Sequence, residues 1–152
     1  ADEGAIAAEL ARDNTAAGQR HAAAARAARP TAEAKEEAWA SVVDSNDLPN
    51  AMQAAVLGGF VQVEQRDLLR PYIERYFDTI EKVWQSRTSE VAQTVVVSLY
   101  PTYFVEQATL DRTEAFLRDR QPPPALRRLL VEGSDAVRRA LRAQQRDAQQ
   151  DG

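Results

Sequence analysis

The chain has 152 residues, no cysteine, one histidine and a formal net charge of -4. Without cysteine there are no disulfides, thiolate zinc sites or cysteine nucleophiles, and the acidic balance argues against nucleic acid as the main partner. No apolar run approaches the ~18 residues of a membrane span, and no charged-then-apolar leader pattern is present. The charge is unevenly spread: residues 1–60 hold 5 Lys/Arg against 9 Asp/Glu, whereas residues 121–152 hold 6 against 4. The sequence opens on Ala1, and its only methionine is Met52. We expect one helical domain over 1–152, cut from a longer polypeptide and residing in the cytoplasm.

The punctuation reads as helix throughout. A short helix over Glu3–Asp13 comes first. Thr15 caps a second that Pro30 stops near Arg29, and Thr31 caps a third over Ala32–Ser45, with Trp39 and Val43 four apart. Asn46-Asp47-Leu48-Pro49 is a turn. Asn50 is expected to cap Ala51–Phe60, a helix weakened near its end by Gly58-Gly59. The clearest element is Glu64–Arg87, where Leu69, Ile73, Phe77, Ile80 and Trp84 form one stripe, widened by Leu68, Tyr72 and Tyr76. Pro71 predicts a break near Leu69 and a main helix starting at Arg70 or Pro71. Ser89–Leu99 follows with Val91, Val95 and Leu99 in register, ending at Tyr100-Pro101. Asp111–Arg120 comes next, then a stiff Gln121-Pro122-Pro123-Pro124 connector. A last helix runs from Pro124 or Ala125 to about Ala148, with Leu126, Leu129, Leu130, Val137 and Leu141 on its apolar side.

Alternate helix starts near Thr15, Asn50, Thr88 and Pro123 are 35, 38 and 35 residues apart. Paired helices at that period build α-solenoids of the HEAT or armadillo kind. The fold class is therefore all-α. An array of antiparallel helix pairs is the preferred architecture, with a plain bundle as the alternative.

Little here could carry chemistry. His21 stands alone and no His-Glu-x-x-His run exists, so a catalytic zinc site cannot be assembled. Glu33, Glu36 and Glu37 could offer oxygen ligands but read more simply as an acidic first turn on the helix dipole. No serine sits in a nucleophile elbow, and Gly58-Gly59 lacks the lysine and spacing of a phosphate loop. Two features stand out. Arg127, Arg128, Arg138, Arg139, Arg142 and Arg146 crowd the last helix, and Arg138, Arg142 and Arg146 share one face. They could dock on an acidic surface or a carboxylate, or pair locally through Asp135. The second feature is the aromatic group Tyr72, Tyr76, Phe77, Trp84, Tyr100, Tyr103 and Phe104, with Arg87 beside it. Helical spacing makes most of these rings core, and buried tyrosine hydroxyls need polar partners, for which Arg87 is a candidate. Equally, Tyr72, Arg87 and Tyr103 could face a cavity and contact a peptide.

Short motifs in a shared order carry a resemblance. Gln65-Arg66-Asp67-Leu68-Leu69-Arg70-Pro71-Tyr72-Ile73-Glu74-Arg75-Tyr76-Phe77 resembles a stretch in the C-terminal domain of actinobacterial aminopeptidase N enzymes. So do Val83-Trp84-Gln85-Ser86-Arg87, Leu99-Tyr100-Pro101 and Pro122-Pro123-Pro124-Ala125-Leu126. Upstream, Arg29-Pro30-Thr31-Ala32-Glu33-Ala34-Lys35 and Asp47-Leu48-Pro49-Asn50 look like the same domain. Pro71, Tyr72, Tyr76, Phe77, Trp84 and Pro101 form the structural signature of that likeness. The resemblance implies a bowl of antiparallel helix pairs, like that of the endoplasmic-reticulum aminopeptidases. It further implies a non-catalytic domain that caps the catalytic cleft and restricts or helps bind peptides. Zinc and the exopeptidase motifs would lie in the catalytic domain of the same polypeptide, the expected partner. The competing function is an independent solenoid module that binds a protein or peptide.

A domain parted from its neighbour exposes its former docking surface, and such patches promote self-association. Sedimentation of the isolated chain across a concentration series is expected to show dimers that grow with concentration. A strictly monomeric chain throughout would count against the expectation.

Overall fold

The computed structural model describes residues 2–151. They form nine α-helices: α1 (Glu3–Arg12), α2 (Ala16–Ala27), α3 (Ala32–Val42), α4 (Asn50–Phe60), α5 (Arg66–Leu69), α6 (Tyr72–Ser86), α7 (Ser89–Leu99), α8 (Gln107–Arg120) and α9 (Pro124–Gln150), with a 3₁₀ turn at Val63–Gln65. The described residues contain no strand, and the Val95-Val96-Val97 run lies inside α7. None of the helices is long and apolar enough to cross a membrane.

Local chemistry explains most boundaries. Thr15, Thr31 and Thr88 each accept a backbone N–H three residues on, at 3.0, 3.1 and 3.4 Å, and so satisfy donors that a helix start leaves free. Asp2 does the same for α1. The expectation at Asn50 fails: Asn50 is already helical, Pro49 holds the cap position, and no side chain caps α4. The start of α8 is also earlier than Asp111. Thr109 and Leu110 are buried on its first turn, where Thr109 Oγ1 donates to Phe104 O at 2.7 Å. Tertiary burial, not a cap, sets that end. Pro71 breaks the helix as anticipated and becomes the cap residue of α6.

The helices pack in pairs, α1 with α2, α3 with α4, α6 with α7 and α8 with α9. One row runs α2–α4–α7–α9 through direct helix contacts. The other runs α1–α3–α6–α8 and is tied by side chains. Arg29 reaches Glu3 and Glu37, Arg75 reaches Glu36, and Arg112 and Arg120 reach Glu74 and Glu81. Between the rows lies one core, in which Leu69, Leu126, Leu130 and Val137 are fully buried.

The two adjacent glycines of α4 do different work. A Cβ on Gly59 would meet Ala24 O at 2.1 Å, so this glycine lets α2 and α4 approach closely, whereas a Cβ on Gly58 meets nothing. Gly58→Ala is expected to raise stability by about 0.5–1 kcal/mol, because alanine loses less conformational freedom in a helix. Gly59→Ala is expected to cost about 1–3 kcal/mol by forcing the pair apart. Urea unfolding of both variants checks the contrast; equal effects would refute the close-approach account.

Candidate functional site

Helix α6 is the element around which the chemistry-bearing side chains gather. Its N-terminal end meets α3. Tyr72 packs on Trp39 and Phe60 with ring centroids 5.1 Å from each, and its hydroxyl donates to Glu36 Oε2 at 2.9 Å. The Arg75 guanidinium grips the same carboxylate with two bonds of 2.6 and 3.0 Å and lies 4.8 Å over the Tyr72 ring. Hydrogen bonds from Arg75 and then Tyr72 hold the Glu36 carboxyl below its usual range. Burial, helped by that carboxylate, pushes the Tyr72 hydroxyl up to about 12. Farther along, Tyr76 and Phe77 stand edge-to-face against Tyr100 at 6.0 and 6.5 Å. Tyr76 donates to Val96 O at 2.8 Å, and the Tyr100 hydroxyl bonds Thr113 at 2.7 Å.

Arg87 serves none of these hydroxyls. It lies just past the C-terminus of α6, where its guanidinium donates to Val42 O and Val43 O, each at 2.8 Å. Those carbonyls end α3 and have no helical donors of their own. Tyr103, half-buried in the α7–α8 connection, packs on Phe104 at 4.8 Å, and burial pushes its hydroxyl up to about 12. Tyr72 and Arg87 sit at opposite ends of α6, about 22 Å apart along its axis. The structure therefore does not gather Tyr72, Arg87 and Tyr103 around one point. Of the signature residues, Tyr76, Phe77 and Pro101 are buried and Trp84 is half-buried.

Lys35 escaped notice in the sequence, yet it is the most unusual polar group in the chain. It is fully buried, and its ammonium donates to Ala27 O at 2.8 Å and Phe60 O at 3.0 Å. These are the last carbonyls of α2 and α4. One cation thus closes two helix C-termini, each carrying partial negative charge. Burial lowers its pKa to about 8, while Glu64 opposes that shift. The signal was present. Lys35 shares a helical face with Ala34, Ala38, Trp39 and Val42, so it had to point inward.

A groove of about 480 Å³ lies between α8 and α9. Arg118, Arg127 and Arg138 line it with Glu114 and Asp135, over a floor that includes Leu117. At its edge Gln121 adopts φ 46°, the left-handed conformation that ends α8.

The sequence model of the ERAP1-like C-terminal domain matches residues 1–139. This chain belongs to the ERAP1-like C-terminal domain family. It is also 59% identical, over 143 residues, to Aminopeptidase N of Streptomyces lividans. That likeness covers 94% of this chain but only 17% of the relative's length. As an ERAP1-like C-terminal domain, the chain carries the Lys35, Glu36–Tyr72–Arg75 and Arg87 constellations inside the family-matched range. The match stops within α9. The described residues offer no group of three His, Cys, Asp or Glu side chains placed to hold a metal. His21 is the single histidine of the chain and is exposed, so a His-ligated zinc ion does not fit this chain's residues.

Lys35 leads to a testable pH dependence of this core's stability. Its folded pKa lies below the ordinary 10.5, so between about pH 8 and 10.5 the unfolded chain binds more protons and stability rises with pH. The cost of burying the charge is fully present below about pH 8. Lys35→Met should abolish that rise. At pH 7 it should also cost about 2 kcal/mol, since two carbonyls lose their donor. Urea midpoints from pH 7 to 10 test this; a flat wild-type profile would exclude it.

Proposed function

We propose that this chain is the C-terminal accessory domain of a zinc-dependent aminopeptidase. In that role it walls the catalytic cleft and limits or helps position the peptides that enter. The observation that carries this reading is the 59% identity to Aminopeptidase N across nearly the whole chain. The metal and the groups that handle the scissile bond would lie on the catalytic part of the same polypeptide. No step of hydrolysis is assigned to residues of this chain.

The packing supports a wall more than a reaction centre. Two helix rows around one core form a stiff slab, and we read it as part of a superhelical array that continues with its neighbours. The ion pairs along α1–α3–α6–α8 link successive helix pairs across that row. The hydroxyls of Tyr72, Tyr76 and Tyr100 are all engaged internally. A peptide contact at Tyr72 would therefore have to share Glu36, and one at Arg87 would have to share the α3 carbonyls.

The test is hydrolysis of an aminoacyl-coumarin panel and of peptides of graded length. We expect no turnover from the isolated chain with added zinc. The full-length polypeptide should turn over both substrate types, and loss of this domain should alter peptide-length preference more than coumarin hydrolysis. Chelator-sensitive activity that survives repurification of the isolated chain would overturn the assignment. Unchanged length preference on removing the domain would favour an independent interaction module.

A further inference from the structure

We propose that the slab yields at one seam: the α1–α4 half and the α6–α9 half hinge about residues 61–71, and Arg87 is the clasp that holds the far end of the seam shut.

The chain crosses between the halves once, through residues 61–71, which include the 3₁₀ turn Val63–Gln65 and the helix break at Pro71. Across the seam α4 touches α7, whereas α3 and α6 meet mainly through side chains. Near the crossing the seam is solid. Trp39, Phe60 and Tyr72 pack ring against ring, and Tyr72 and Arg75 hold Glu36. Gln65 Nε2 adds a bond of 2.9 Å to Ala28 O.

About 22 Å away, at the other end of α6, the same seam is cut from both faces. On one face a groove of about 310 Å³ parts Val43, Asp44 and Asn46 from Thr79, Lys82 and Ser86 of α6. On the other, a groove of about 330 Å³ runs between Ala51 and Ala54 of α4 and Val91 and Thr94 of α7. Gln53 lines this second groove and is buried. Its Nε2 donates to Asn46 Oδ1 at 3.3 Å and Leu48 O at 2.8 Å, while its Oε1 is buried without a donor among the described residues. A buried acceptor without a donor costs free energy, and parting the helices there would let water reach it.

Arg87 spans the seam at this end. From just past α6 it donates to Val42 O and Val43 O, each at 2.8 Å, and to Asn46 Oδ1 at 3.4 Å. Burial works against its charge, and these three acceptors are neutral. The clasp is therefore weaker than an arginine–carboxylate fork. One covalent crossing, a packed pivot and a gripped free end make a hinge, in which a few residues at element ends absorb the motion. A tilt of about 15° over the length of α6 would open the far end by about 6 Å. The angle between successive helix pairs, and so the curvature of the array, would change without unfolding.

Double electron–electron resonance tests this on the 152-residue chain, whose lack of cysteine confines spin labels to engineered sites. Asp47→Cys with Gln85→Cys reports the far end, and Glu33→Cys with Asp67→Cys the pivot; all four positions are exposed. The far-end distances should spread more widely than the pivot distances. Arg87→Ala should add a far-end population longer by about 5 Å or more, the scale of the tilt above, and leave the pivot unmoved. Arg87→Lys, which keeps the charge but not the fork, should lie in between. If Arg87→Ala loses its helical circular dichroism, the lysine variant carries the comparison. Three results would overturn the proposal: a far-end spread as narrow as the pivot's, far-end distances unmoved by either substitution, or both pairs broadening together. The accessory role would stand in each case.

Discussion

The junction at Lys35 is the constraint on which the first half of the molecule is built. A helix ends with carbonyls that have no intrahelical donor, and burying such an end requires a partner from elsewhere. Here α2 and α4 end side by side, held close by Gly59 against Ala24. A single ammonium closes both, at 2.8 and 3.0 Å. Sharing one cation between two partly negative ends offsets a desolvation cost that neither end alone would balance. Because Lys35 is on α3, the same contact fixes the rotation of α3 about its axis. That rotation turns Glu36 outward toward α6, where Arg75 and Tyr72 meet it. The far end of α6 then delivers Arg87 back to the C-terminus of α3. The polar contacts between α3 and α6 thus both rest on an arginine, Arg75 on a carboxylate and Arg87 on a helix end.

The ion pairs of the α1–α3–α6–α8 row have a different role. Exposed pairs are each worth at most about 1 kcal/mol and often nothing, so they cannot carry the stability that the buried core supplies. They do discriminate between registers. Acidic residues Glu74 and Glu81 on α6 answer Arg112 and Arg120 on α8, and a slip of α8 by one turn would set them against the wrong neighbours. Arg112 also covers the Phe77 ring at 4.7 Å, joining polar register to aromatic packing. A stack of helix pairs needs this kind of information, since each pair buries a similar apolar face and hydrophobicity alone tolerates sliding.

What could be read in the sequence was what short range determines. The threonine caps, the Pro71 break, the apolar stripe of α6 and the bounds of α7 follow from residues within four positions of one another. The start of α8 did not, because Thr109 and Leu110 become helical through burial in a core assembled from distant segments. Asn50 misled for a related reason: a good cap residue one position too late is absorbed into the helix. Spacing alone places Lys35 on the buried face of α3, but it names neither the acceptors of Lys35 nor the partners of Glu36. The carbonyl of Phe60 lies 25 residues from Lys35, and Arg75 lies 39 from Glu36, and no periodicity links such positions. Arg87 shows the same limit. Its position beside the aromatic stripe suggested a tyrosine partner, yet the nearest unsatisfied acceptors belonged to another helix.

The site's electrostatics restrict how an accessory domain of this kind could influence a neighbouring reaction. Burial pushes the hydroxyls of Tyr72 and Tyr103 up to about 12, so both stay neutral through the physiological range. Lys35, shifted toward neutrality, is sealed from solvent behind its two carbonyls. The Glu36 carboxylate is held ionised by Arg75 and Tyr72. None of these groups is both poised to exchange a proton near pH 7 and open to a substrate. Within the proposed role, influence on peptide hydrolysis must then pass through shape, through exclusion of water and bulky chains, and through fixed charge such as the arginines of the α8–α9 groove. Those effects depend on where the slab sits relative to the cleft, so the contacts that set that position carry as much functional weight as any residue facing a peptide.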